Sequence, residues 1–190
     1  MASDVGICNS ALNIIGASNI IALTEDSKSG RVCNQRYEFV RDSVFRAHPW
    51  NCLIQRTSLA QLSDAPSYEY AYQYTLPSDP YCLRVLDVEG EVASGVVYVI
   101  EGRKLLSDEG SINLRYVARV TDANEYDSLL SETISARMAH EISYTLANSA
   151  SMAEQLWNLY LMKLSEARYA DATEGTPAEI VSDNFTTVRL

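Results

Sequence analysis

Arg36-Tyr37-Glu38-Phe39-Val40-Arg41-Asp42-Ser43-Val44-Phe45-Arg46-Ala47-His48-Pro49-Trp50 is the stretch on which the fold turns. Upstream of Pro49 the apolar residues recur at helical spacing. Cys33, Tyr37, Val40 and Val44 are separated by steps of 4, 3 and 4, which places them on one face of a helix running from about Ser29 to Ala47. Arg31, Arg36, Arg41 and Arg46 recur every five residues. Each is turned by about 140° from the last, so they form no basic face and are expected in ion pairs. Pro49 disfavours helical backbone at His48 and ends the element.

Beyond Trp50 the period changes to two, and it stays so to Val120. Tyr68, Tyr70, Tyr72, Tyr74 and Leu76 alternate with smaller or polar residues, which predicts a strand carrying four tyrosines on one side. That face is expected to be half-buried in a sheet. A stacking platform for single-stranded nucleic acid would need basic neighbours, and the segment has none. Leu83–Val88 reads as a strand, Val96–Ile100 and Lys104–Leu106 as a hairpin across Glu101-Gly102, and Ile112–Val120 as a further strand.

Outward from this β segment the helical period returns on both sides. Before it, Val5, Cys8, Leu12 and Ile15 mark a first helix over about residues 4–15, capped by Ser3 or Asp4 and stopped at Gly16. After it, Leu130, Ile134, Met138 and Ile142 mark a helix over about residues 125–148. Leu156, Tyr160, Leu164 and Ala167 mark another to about Ala172, with Ser151-Met152-Ala153-Glu154 as its expected capping box. The expected fold class is therefore α+β. A four-helix bundle is built from the N- and C-terminal segments (1–49 and 121–175), with an antiparallel β region inserted at 50–120. Residues 176–190 have no period, yet carry Ile180, Val181, Phe185, Val188 and Leu190. These five are the candidate partner-binding residues of a C-terminal docking tail; the alternatives are fraying or packing on the same subunit.

Composition bounds what such a chain can do. The 190 residues fit one domain with a radius of gyration of roughly 16 Å, long enough to bury roughly 70% of the unfolded surface. The net charge of −10 argues against tight non-specific nucleic-acid binding, which needs clustered Lys and Arg. It serves either solubility alone or a surface that passes DNA without gripping it. Cys8, Cys33, Cys52 and Cys82 form no C-x-x-C pair and read as reduced, mostly buried small hydrophobes in a cytosolic protein. Met1-Ala2-Ser3-Asp4 has neither the basic region nor the apolar run of a secretory signal, and no apolar run is long enough to span a bilayer. Asn184-Phe185-Thr186 matches a glycosylation acceptor that carries no meaning without secretion.

The chemistry-bearing residues form no catalytic pattern. His48 and His140 have no second ligand at metal spacing, and His140-Glu141 lacks the second histidine of a zinc helix. The glycines make neither a dinucleotide fingerprint nor a phosphate loop, and there is no nucleophile elbow. The chain is expected to be no enzyme and to need no cofactor or metal. A deep polar pocket with perturbed titratable groups would argue otherwise.

Several segments, in order, resemble one family. Asn9-Ser10-Ala11-Leu12-Asn13-Ile14-Ile15-Gly16, Tyr37-Glu38-Phe39-Val40-Arg41-Asp42 and Arg46-Ala47-His48-Pro49-Trp50 come first. They are followed by Tyr72-Gln73-Tyr74-Thr75-Leu76-Pro77-Ser78-Asp79, Glu101-Gly102-Arg103-Lys104-Leu105-Leu106 and Leu114-Arg115-Tyr116-Val117. The last is Leu161-Met162-Lys163-Leu164-Ser165-Glu166-Ala167-Arg168. Together they resemble the head–tail adaptors of short-tailed phages, the tail tubular protein A type. The link Ile20-Ile21-Ala22-Leu23 is less polar than that family leads one to expect. The resemblance implies a virion protein of the phage tail, assembled in the bacterial host cytoplasm. Its copies would form a ring, generally twelve-fold, beneath the portal protein, join it to the tail nozzle protein, and extend the channel through which DNA passes at ejection. It carries over no catalytic residue. The competing expectation is a non-catalytic helical binding module or assembly chaperone that stays small.

Overall fold

The computed structural model describes residues 3–90 and 95–175. In chain order the elements are α1 (Asp4–Ile14), α2 (Lys28–Ala47), β1 (Ile54–Leu59), β2 (Tyr72–Thr75), β3 (Cys82–Glu89), β4 (Tyr98–Glu101), β5 (Lys104–Ser107), β6 (Ile112–Ala118), α3 (Ser128–Ala147) and α4 (Ala150–Thr173). Among the described residues the fold is mixed α+β, with four helices and two three-stranded antiparallel sheets.

Each helix starts where a side-chain oxygen meets an orphan backbone N–H. Ser3 Oγ accepts from Gly6 and Ser27 Oγ from Gly30, both at 3.0 Å. Asp127 Oδ2 accepts from Leu129 at 2.7 Å. The third helix was expected from residue 125. Instead Asp122 caps a short 3₁₀ turn over Ala123–Glu125, which takes up that stretch, and Asp127 restarts the chain as α3. The expected capping box at Ser151 is also displaced. Asn148, at φ +51°, ends α3 in the left-handed region and leaves one connecting residue. That residue, Ser149, caps α4 through Met152 N–H at 3.3 Å, so Ser151 falls inside the first turn.

The helix α3 is the hub. It packs against α4, α2 and α1, while α2 also touches α1 and β3. Leu130, Ile134, Met138 and Ile142 are fully buried along its length. Each such burial is worth about 1.5–3 kcal/mol. The α2 stripe Cys33, Tyr37, Val40 and Val44 and the α4 stripe Leu156, Tyr160, Leu164 and Ala167 are buried as the spacing predicts. The α2 arginines are dispersed: Arg31 pairs with Asp26, Arg36 with Glu141 and Arg41 with Asp42, while Arg46 donates to the Leu83 carbonyl. Asn9 explains how the link after α1 is held. Its side chain accepts from Ile20 N–H at 2.8 Å and donates to the Ile20 carbonyl at 2.9 Å, pinning a buried residue in a segment without regular structure.

The first sheet has the order β1-β6-β3. Ile54 pairs with Val117 and Leu59 with Ile112, and β3 runs along the other edge with two register shifts. Ile112, Leu114, Tyr116 and Ala118 of β6 are all buried, as their alternation predicts. The second sheet, β2-β5-β4, contains the expected hairpin. Glu101 pairs with Lys104, and Gly102, at φ +60°, takes the first loop position, where a II′ turn places glycine. The four-tyrosine strand is shorter than predicted. Glu69 sits at φ +74° and Tyr68 is 80% exposed, so the chain turns there and only Tyr72–Thr75 pairs with β5. Tyr74 is fully buried, and Tyr70 and Tyr72 are half-buried.

Candidate assembly interface

The helix α4 has two apolar faces. Besides the buried stripe, Trp157, Leu161, Met162 and Tyr169 are 38, 45, 58 and 76% exposed. At about 100° per residue these four span an arc of about 140° beside the buried one. Glu154, Asn158, Ser165 and the half-buried Arg168 are interspersed in it. A helix that only covers a core presents charge to water on that side. This arc instead sets four large apolar side chains among few charged ones.

Its rim is held by a packed cluster. The Arg137 guanidinium lies 4.7 Å from the Trp157 ring centroid and 5.3 Å from that of Tyr160. His140 packs on Trp157 at 5.1 Å, and its Nδ1 donates to the Ala153 carbonyl at 2.9 Å. Glu141 receives Arg137 at 2.7 Å and Arg36 at 2.6 Å, so one carboxylate ties α3 to α2 beside the cluster. Burial raises the Tyr160 phenol above its ordinary pKa, and the nearby Arg137 and Arg168 partly offset this.

The far end of α4 is locked to the corner after α2. Asp171 accepts from the Asn51 backbone N–H at 2.9 Å and lies 2.9 Å from His48 Nε2. Asn51 Nδ2 donates to the Asp171 carbonyl at 2.8 Å, and Arg168 donates to the Ala47 carbonyl at 2.6 Å. Trp50 is buried beside it, its indole N–H donating to the Val44 carbonyl at 3.0 Å. The His48-Pro49-Trp50 stop thus makes the joint that fixes the C-terminal end of α4 against the corner after α2. The β side adds a smaller apolar surface: Val97, Val99 and Ile100, on and next to β4, are exposed.

The predicted tail residues Ile180, Val181, Phe185, Val188 and Leu190 lie outside the described residues. The α4 arc had no place among the predicted sites. Its signal was present as apolar residues at positions 157, 161 and 162, out of phase with the stripe assigned to the core. Both histidines are engaged as packing and hydrogen-bonding groups. Among the described residues no group of three or more His, Cys, Asp or Glu side chains could hold a metal ion, and no helix is long and apolar enough to cross a membrane. The four cysteines are free thiols; Cys8, Cys33 and Cys82 are buried and Cys52 is half-buried. A hydrogen bond with Cys33, reinforced by burial, holds the Cys8 thiol well above its usual pKa, and burial also raises Cys52 and Cys82. Compared with known proteins, the chain matches no family model and no curated protein sequence.

Proposed function

We propose that the protein is a structural head–tail adaptor of a short-tailed phage virion, a non-catalytic subunit whose copies form a ring between portal and tail nozzle. In this reading the four helices act as one bundle made from both ends of the chain, with α3 at its centre and the two sheets projecting from it. The observation that carries the proposal is the exposed apolar arc of α4, next to a rigid core and anchored at both ends. A ring subunit must keep such surface for neighbours that close by rotation. The ordered run of segments similar to the adaptor family gives the surface its identity. The acidic balance suits a channel that repels phosphate and lets DNA slide.

The residues beyond Gly175 act here as a docking tail for the portal or a neighbouring copy, through Ile180, Val181, Phe185, Val188 and Leu190. Truncation after Gly175 is expected to abolish assembly onto portal rings; unchanged assembly would remove the tail from the mechanism. The adaptor itself is tested by mixing the full chain with the cognate portal and imaging the particles. An added ring layer is expected. Particles identical to portal alone would contradict it and favour a small binding module or assembly chaperone.

A further inference from the structure

Where the two sheets meet, four arginines from four parts of the chain line one cleft of about 410 Å³. Arg46 comes from the last turn of α2, Arg84 from β3, Arg103 from the β4–β5 turn and Arg119 from just after β6. Among the described residues no carboxylate lines the cleft. Two of the cations lie over the Tyr81 ring, the Arg103 guanidinium 3.9 Å and that of Arg119 4.4 Å from its centroid. Arg119 pairs with Asp42 at 2.6 Å, yet its Nε is buried with no hydrogen-bond partner. The other three have no ion-pair partner among the described residues. Arg46 and Arg103 donate to backbone carbonyls of residues 76–83, and Arg84 makes a single long contact of 3.4 Å with the Arg46 carbonyl. Carbonyls orient a guanidinium but do not neutralise it, and each keeps unused N–H donors. In a chain of net charge −10, this is a convergent patch of four guanidinium groups of which, among the described residues, only Arg119 has a carboxylate partner.

We propose that this cleft is a carboxylate-binding site filled by an acidic surface segment of a second copy of the chain. Guanidinium forks match carboxylates in bidentate geometry. Tyr81 already has two guanidinium groups within 4.4 Å of its ring centroid, so the ring is not free to stack a nucleobase. A polyphosphate strand would be repelled by the chain's net charge of −10. The same acidity gives a second copy an abundance of carboxylates and gives the contact its charge complementarity. The inference rests on the reading that copies of the chain adjoin one another, but not on a portal.

The test uses the full chain, with Arg84→Glu as the variant and Arg56→Glu, an exposed cation of β1 outside the cleft, as a control of equal charge change. Arg84 is exposed and its one contact is marginal, so its loss spares the fold. Titration with a hexaglutamate peptide, followed by amide shifts around Gly102 and Arg84, is expected to show saturable binding. R84E should weaken it by about tenfold or more and R56E should leave it unchanged, the size set by losing one charge-assisted hydrogen-bonded pair. Sedimentation velocity is expected to show salt-sensitive self-association that R84E, but not R56E, reduces by a similar factor. Absence of hexaglutamate binding, equal effects of the two variants, or tighter binding of a DNA oligonucleotide would overturn the assignment. Peptide binding without self-association would overturn the second copy as its source. If the parent chain adds a ring to portal yet binds no hexaglutamate, only this inference fails and the adaptor reading stands.

Discussion

Gly30 is the clearest single-residue constraint in the chain. A Cβ there would lie 2.6 Å from the Glu25 backbone oxygen and 3.1 Å from the Ser27 hydroxyl that caps α2. Gly30→Ala is therefore expected to destabilise by about 1–3 kcal/mol, because backbone cannot yield as a flexible side chain can. A urea midpoint indistinguishable from the parent would refute that. The buried tyrosines set the alkaline limit of the fold. Burial, its largest cause, pushes Tyr126 up to about 12, and burial with a hydrogen bond to Asp4 raises Tyr37 further. Both folded values exceed the ordinary phenol value near 10. The neutral phenol is thus the form the fold favours, and its contribution is complete below pH 10 and lost as pH rises toward 12. Stability followed by urea midpoints should be level in this respect up to about pH 10 and then fall; a decline already complete by pH 9 would exclude these groups as its cause. Among the thiols, none is fully exposed. Slow reaction of the native protein with a thiol reagent, and rapid reaction of four thiols in denaturant, are the expected result.

At the scale of elements, the corner joining α2 to α4 carries more than its local contacts. Asp171→Ala removes the acceptor of both the Asn51 N–H and His48, leaving the part-buried His48 without its partner beside a buried tryptophan. A loss of about 1–3 kcal/mol is expected from thermal or urea unfolding. Leu161→Glu with Met162→Glu changes only exposed positions, so the unfolding midpoint should stay within about 0.5 kcal/mol of the parent while assembly is lost. Retained assembly would show that the α4 arc faces solvent in the particle. Elements with one strong period were legible in the sequence: the α2, α3 and α4 stripes, the β6 alternation and the Glu101-Gly102 hairpin. Elements set by local backbone were not. Asn148 and Glu69, with their positive φ, moved the start of α4 and broke the tyrosine strand, and nothing in the apolar pattern announces either. The strand β1 went unnamed because Ile54-Gln55-Arg56-Thr57-Ser58-Leu59 is half-exposed at a sheet edge and alternates weakly.

For the molecule as a whole, the terminal segments meet because α3 supplies one buried face to α1 and α2 and another to α4. The sequence foretold helices toward both ends of the chain with antiparallel strands between them. It did not foretell the guanidinium-lined cleft, since Arg46, Arg84, Arg103 and Arg119 are far apart in the chain and converge only through the strand pairings. Nor did it separate the two apolar faces of α4, because a single helix with apolar residues on most of its surface gives no period that says which face is covered. The most direct measurement is the mass of the particle formed when the full chain is added to cognate portal rings. A ring adaptor predicts a discrete increment of a whole number of chains, close to twelve, that the Leu161→Glu, Met162→Glu pair abolishes. A portal whose mass is unchanged by saturating amounts of the chain would contradict it.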